Sequence, residues 1–143
     1  MSDLVIDASV AIKWVIEEDG TKEALALRRQ ALAAPDLLVA ECAKILRKKV
    51  RRKELSEPEA AFAAGLLARA DVELVAMRPY LEAATRIAAG LDHPAYDCFY
   101  IALAEAEGLS LVTADSTLVR KASGRYAGRV LGLTDAATWS DES

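Results

Sequence analysis

Histidine occurs once in this chain, at position 93, and cysteine twice, at positions 42 and 98. So few nitrogen and sulfur ligands do not build a zinc site, and two isolated thiols do not make a disulfide framework. Both cysteines read as small buried residues. No apolar run approaches the roughly 20 residues needed to span a bilayer. The N-terminus enters a strand pattern at once, with no basic leader and apolar core, so a cytoplasmic protein with no membrane partner is expected. Positive charge is also short: 18 Lys and Arg stand against 22 Asp and Glu, a formal net charge of −4. A protein that grips nucleic acid by overall charge is usually basic. Any such binding here has to come from a local patch or from bound metal. Linkers, internal repeats and low-complexity stretches are missing too, so residues 1–143 are expected to form a single domain.

What is there is 53% hydrophobic, enough for a sizeable core, and it alternates. Residues 3–7 read as a strand, and 9–17 as a helix with Ser9 as N-cap. Residues 21–33 are rich in strong helix formers, and Ala33–Pro35 is a turn or a very short strand. A long helix is expected from Asp36, its N-cap, to about Lys53. Ser56-Glu57-Pro58-Glu59 is a helix start, a Ser cap followed by acids and proline, for a helix running to about Ala70. Val72–Ala76 is a short strand, and residues 80–90 are helical, ending at Gly90 as C′ residue. After a loop at 91–95, Tyr96–Glu107 is a helix closed by Gly108. Ser110–Thr113 is an apolar strand, 116–122 a short helix, Arg129–Leu131 a last strand and Thr134–Trp139 a terminal helix. Strands alternating with helices imply an α/β fold with a mostly parallel sheet covered by helices.

Four acids stand in apolar surroundings. Asp7 ends the first strand. Glu41 lies in "PDLLVAECAKIL", Asp97 in "HPAYDCFYIALA", and Asp115 in "LVTAD" just past a strand. An ionised carboxylate in such a setting is expensive unless it is paired or bound to a cation. Asp7 and Asp115 fall at the C-terminal ends of parallel strands, where open α/β sheets form their ligand crevice. Four carboxylates gathered there repel one another. A hard divalent cation such as Mg²⁺ or Mn²⁺, which takes oxygen ligands, removes the conflict. With such a metal the site can activate water and stabilise charge on a phosphodiester. Each acid also has a local reading: Asp7 and Asp115 as helix caps, Asp97 as a first-turn acid favoured by the helix dipole, Glu41 as a solvated helix-edge residue.

The order of these acids with their neighbours resembles the PIN-domain ribonucleases, close to the VapC-type toxins of toxin–antitoxin pairs. "VIDASVAIKW" resembles the opening strand with the first catalytic aspartate, Asp7. "PDLLVAECAKILRK" resembles the segment with the second acid, Glu41. "YDCFYIALAEAEGLSLVTAD" resembles the third and fourth acidic positions, Asp97 and Asp115. The likeness covers about residues 3–135. It implies a three-layer α/β/α domain with about five strands and endoribonuclease activity dependent on Mg²⁺ or Mn²⁺. It also implies a homodimer, and inhibition by a VapB-like antitoxin. Hydrolysis by metal-activated water would leave a 5′-phosphate and a 3′-hydroxyl. Where the family often has a further acid or an aromatic after the fourth acid, this chain has Ser116, Thr117 and Leu118. One tightly bound ion is therefore expected, with a second arriving with substrate.

Around the acids, the hydroxyls of Ser9 and Thr113 are placed to orient carboxylates or ligated water. Their plain readings are a helix cap and a strand threonine. Lys13, one turn beyond Ser9, is within reach of a phosphate or simply solvated. The run "KILRKKVRRKE", residues 44–54, supplies the local basic patch: Lys44, Lys48 and Arg51 or Arg52 share a helix face with Glu41. There they would steer an RNA backbone toward the metal, or form a solvated face. Trp14, Phe62 and Tyr80 read as core or interface residues. Two other readings stand beside the nuclease: a receiver-like Mg²⁺-binding phosphoacceptor domain, and a non-catalytic PIN-like module that binds RNA or a partner.

Overall fold

The computed structural model describes residues 1–135; the terminal helix expected at Thr134–Trp139 extends outside the described residues. Strand β1 (Leu4–Ile6) is buried along its whole length, as a central strand of a parallel sheet must be. Asp7 turns the chain into a short helix, α1 (Ala8–Ala11), continued by a 3₁₀ turn at Ile12–Trp14. Helix α2 (Thr21–Ala26) and a 3₁₀ turn at Leu27–Arg29 follow. The helical segment thus stops well short of residue 33, because Leu32–Pro35 is a full strand, β2. Pairing on both sides, Leu32 with Leu4 and with Val72, overrides the helix propensity of those residues.

Helix α3 (Leu37–Arg51) buries Leu38, Cys42 and Leu46, four residues apart, as one narrow stripe. Asp36 holds the N-cap position the sequence suggested, but in helical conformation and, among the described residues, without a side-chain cap bond. Helix α4 (Glu57–Ala68) has the expected capping box: Ser56 Oγ accepts from Glu59 N at 3.2 Å, and Glu59 Oε1 accepts from Ser56 N at 2.8 Å. Strand β3 (Val72–Val75) leads through a 3₁₀ turn at Arg78–Tyr80 to α5 (Leu81–Leu91). That helix runs through Gly90 and ends at Asp92, whose φ of 51° is left-handed. Helix α6 (Ala95–Glu107) ends at Gly108, with φ of 68°. Strand β4 (Ser110–Thr113), helix α7 (Ser116–Lys121) and strand β5 (Val130–Gly132) follow, and residues 133–135, the last described, are helical.

The five strands form one all-parallel sheet in the order β3-β2-β1-β4-β5, with helices on both sides. Helix α6 buries Cys98 and Tyr100 to Ala104 against the sheet and α5, so its middle is apolar all round. Successive strands step outward from β1 in one direction to β3 and in the other to β5. The order therefore reverses between β1 and β4, and the crevice of an open parallel sheet opens at the carboxyl ends of that pair. Among the described residues, no helix is long and apolar enough to cross a membrane.

Candidate active site and metal centre

Leu4, Val5 and Ile6 pair with Ser110, Leu111 and Val112. One step further on, the same register sets Asp7 beside Thr113. Of the two caps the sequence allowed for α1, Ser9 and Asp7, the structure uses Asp7: its Oδ1 accepts from Ser9 N at 3.1 Å and from Ser9 Oγ at 2.5 Å. Ser9 Oγ in turn accepts from Ala114 N at 2.9 Å and lies 3.3 Å from Thr113 Oγ1. Thr113 Oγ1 accepts from Asp115 N at 3.1 Å. A ladder of two hydroxyls thus ties together the ends of β1 and β4. Asp115 caps α7, its Oδ1 accepting from Thr117 N at 2.9 Å and Leu118 N at 3.3 Å.

The other two acids come from helices. Tyr100 of α6 is fully buried, and its hydroxyl donates to Oε1 of Glu41 on α3 at 2.5 Å. Asp97 stands in the first turn of α6, its Oδ2 2.7 Å from Nε2 of His93. Ligand atoms of His93, Asp97 and Asp115 all lie within 4.8 Å of one another.

The electrostatics tie the remaining acids to this cluster. Burial pushes the Asp7 carboxyl up to about 6; the Ser9 and Thr113 hydroxyls pull it down, and the charges of Asp97 and Glu41 push it up again. Glu41 is also raised, first by burial; the Tyr100 hydroxyl opposes this, Asp97 adds to it, and Lys44 opposes it. Tyr100 is raised too, chiefly by burial and by its bond to Glu41, so it remains a donor. Asp7, Glu41 and Asp97 therefore feel one another's charge, while Asp97 and Asp115 share the cluster with His93.

The four acids have one arrangement in common. Each has one oxygen held by the protein: Asp7 Oδ1 by Ser9, Glu41 Oε1 by Tyr100, Asp97 Oδ2 by His93, Asp115 Oδ1 by the backbone of α7. Among the described residues, the second oxygens of Glu41, Asp97 and Asp115 have no hydrogen-bond partner, while the Thr113 hydroxyl joins Ser9 at Asp7. Capping and ligation are thus compatible at Asp7 and Asp115, because a cap uses one oxygen. An oxygen-rich donor set with pinned orientation fits a hard divalent cation.

Two residues of this site escaped the sequence reading. His93 is four residues before Asp97, in the loop that enters α6, and Tyr100 is three after it on that helix. A tyrosine inside the apolar run "FYIALA" needs a partner for its hydroxyl once buried, which was the available signal.

On α3, Lys44, Lys48, Arg51 and Arg52 are all exposed beyond Glu41. Lys13 is different: it is mostly buried and its Nζ is 3.0 Å from Glu18 Oε1, while Lys49 takes Oε2 of the same glutamate at 3.1 Å. Lys13 also lines a cavity of about 580 Å³ beside the β4–α7 turn, together with Asp19, Thr113, Ser116 and Arg120. Cys42 and Cys98 are buried free thiols, as expected. Trp14 packs against the core and donates its indole N–H to the Ala24 carbonyl at 2.8 Å, and Tyr80 also packs there. Phe62 is 69% exposed and, among the described residues, joins neither core cluster.

A five-stranded parallel sheet with helices on both sides and a crevice at its switch point makes this an open α/β domain. Residues 4–124 match the family described as PIN domain, and the chain belongs to that family. It is 33% identical over 115 residues to the VapC ribonuclease Mb0985 of Mycobacterium bovis and, to the same extent, to ribonuclease VapC9 of Mycobacterium tuberculosis. Each match covers 80% of this chain and 87% of the relative. Among solved structures, PAE2754 from Pyrobaculum aerophilum superposes with a TM-score of 0.76 at 20% identity, covering 99% of this chain and 91% of that one. That likeness is one of fold. Membership of the PIN family removes the receiver-like reading.

Proposed function

We propose that this protein is a metal-dependent endoribonuclease acting as the toxin of a toxin–antitoxin pair. The observation that carries the reading is the set of four acids around one crevice, each with an oxygen held by a neighbouring donor. Carboxylates kept only for capping or pairing have no reason to gather at one crevice, where their charges oppose each other. The ribonuclease names of the VapC relatives support the same chemistry.

Asp7, Glu41, Asp97 and Asp115 would hold Mg²⁺ or Mn²⁺. When bound, the ion supplies Lewis-acid stabilisation of the phosphodiester and a more acidic water. The protein's own part is positioning. Ser9 and Thr113 fix Asp7 at the strand ends, and Tyr100 fixes Glu41. Lys44, Lys48, Arg51 and Arg52, on the helix that carries Glu41, draw the RNA backbone along α3. Lys13 contributes only if it leaves Glu18. The protein works in the cytoplasm as a homodimer, held in check by a VapB-like antitoxin.

The test is cleavage of a structured RNA pool with Mg²⁺, with Mn²⁺ and with EDTA, beside the Asp7→Asn variant. Cutting should require metal and vanish in the variant, which keeps its far-ultraviolet circular dichroism. Wild-type cutting by Asp7→Asn would remove Asp7 from the reaction. No cutting by either protein, with no Mn²⁺ bound, would leave a PIN-fold binding module.

A further inference from the structure

We propose that His93 is a positioning residue of the cation site: its Nε2–H holds one oxygen of Asp97, so that Asp97 meets the ion through the other. The inference rests on the reading of the acids as cation ligands. It concerns a residue that neither the acid pattern nor the relatives' names assign.

The chain holds this ring firmly. Asp92 adopts a left-handed φ of 51° to end α5, and its carbonyl accepts from Lys121 Nζ at 2.7 Å. The His93 N–H donates to the Ala88 carbonyl at 3.2 Å, which anchors the residue to the last turn of α5. Pro94 then sets the entry to α6. Asp92, Pro94, Ala95 and Tyr96 are exposed, yet the His93 side chain is only 6% exposed. In an otherwise exposed loop the imidazole is turned inward, onto the acid cluster.

The ring's hydrogen bonds decide its tautomer. Among the described residues, Nδ1 is buried without a partner, while Nε2 is 2.7 Å from Asp97 Oδ2. A proton on Nδ1 alone would leave a buried donor orphaned and set two acceptors against each other across that short contact. A proton on Nε2 makes the bond and leaves only a bare acceptor behind. His93 therefore serves Asp97 as a donor. It fixes the carboxylate plane, leaves Oδ1 as the open ligand atom, and brings a donor to a place crowded with like charge. A hydrogen-bonded carboxylate presenting one oxygen suits a cation that demands octahedral geometry.

The experiment measures Mn²⁺ binding to the intact protein by loss of the free-ion electron paramagnetic resonance signal. It compares wild type with His93→Leu, His93→Ala and His93→Gln. Leu fills the ring's volume without a donor. Gln places an amide N–H near the position of Nε2. Leu should weaken Mn²⁺ binding about 10- to 100-fold, and Gln should restore it to within about threefold of wild type. If Leu fails to fold, Ala carries the comparison. Melting curves in EDTA give the readout for a merely structural role: variants that melt earlier but bind Mn²⁺ as tightly as wild type overturn the proposal. A nitrogen coupling in the Mn²⁺ spin-echo spectrum of wild type, with Gln as weak as Leu, would make His93 a ligand and overturn it as well. Failure of wild type to bind Mn²⁺ at all would sink the cation reading, and this inference with it.

Discussion

Burial raises the Asp7 carboxyl to about 6, from an ordinary 3.8. A raised carboxyl favours the folded state most while protonated. Its contribution is complete below the unfolded value and is lost as pH rises through the folded one. The rise from 3.8 to about 6 corresponds to about 3 kcal/mol, lost between about pH 4 and pH 7. Asn does not titrate there. In EDTA, Asp7→Asn should therefore equal wild type in stability at about pH 4 and exceed it by about 2–3 kcal/mol above about pH 7. Urea unfolding across that range checks this, and a difference independent of pH would show that the Asp7 charge is not what strains the site. The same burial made Asp7 and Glu41 legible. A carboxylate next to "LVI" or between "LLVA" and "CAKIL" contradicts its surroundings, and the contradiction is visible in the sequence alone. Tyr100 and His93 were harder to read, because what marks them is a contact. The Tyr100–Glu41 bond joins residues 59 apart, and nothing in the spacing within α6 names a partner on α3.

Helix α3 combines two opposed charges on one element: Glu41 near its start and a cationic surface along its second half. If the cations track an RNA backbone, each phosphate contact to a single strand adds about 0.7 to the slope of log affinity against log salt. Replacing Lys44, Lys48, Arg51 and Arg52 by Gln should make that slope shallower by up to about 3. Filter binding at several KCl concentrations, in the uncleaving Asp7→Asn background, measures it. An unchanged slope would make the run a solvated face. At this scale, the ends of elements were legible where local chemistry decides them, as in the Ser56 capping box and the Gly108 stop. Tertiary contacts decided the rest. β2 takes residues with helical propensity because β1 and β3 flank it. α5 passes Gly90 and stops at Asp92, where Lys121 of another helix meets the backbone.

Over the whole molecule, the metal-free fold carries a cost that the proposed ligand removes. The acids at the sheet crevice oppose one another when ionised, and the fold, with its hydroxyl ladder and the Tyr100 and His93 donors, holds them together nonetheless. A cation that binds only the folded state stabilises it by about 2.7 kcal/mol at 100 times its dissociation constant. For a domain of this size that is a rise in melting temperature of about 10 °C. Protons compete for the same oxygens, so the rise should be largest above about pH 7 and mostly lost near about pH 5. Asp7→Asn starts from a more stable metal-free state and has one ligand charge fewer, so its gain from Mn²⁺ should be small at every pH. Melting curves with Mn²⁺ or EDTA at both pH values, for wild type and variant, test all of this together. An equal Mn²⁺ gain in both proteins would place the ion away from Asp7 and divide the four acids into separate roles.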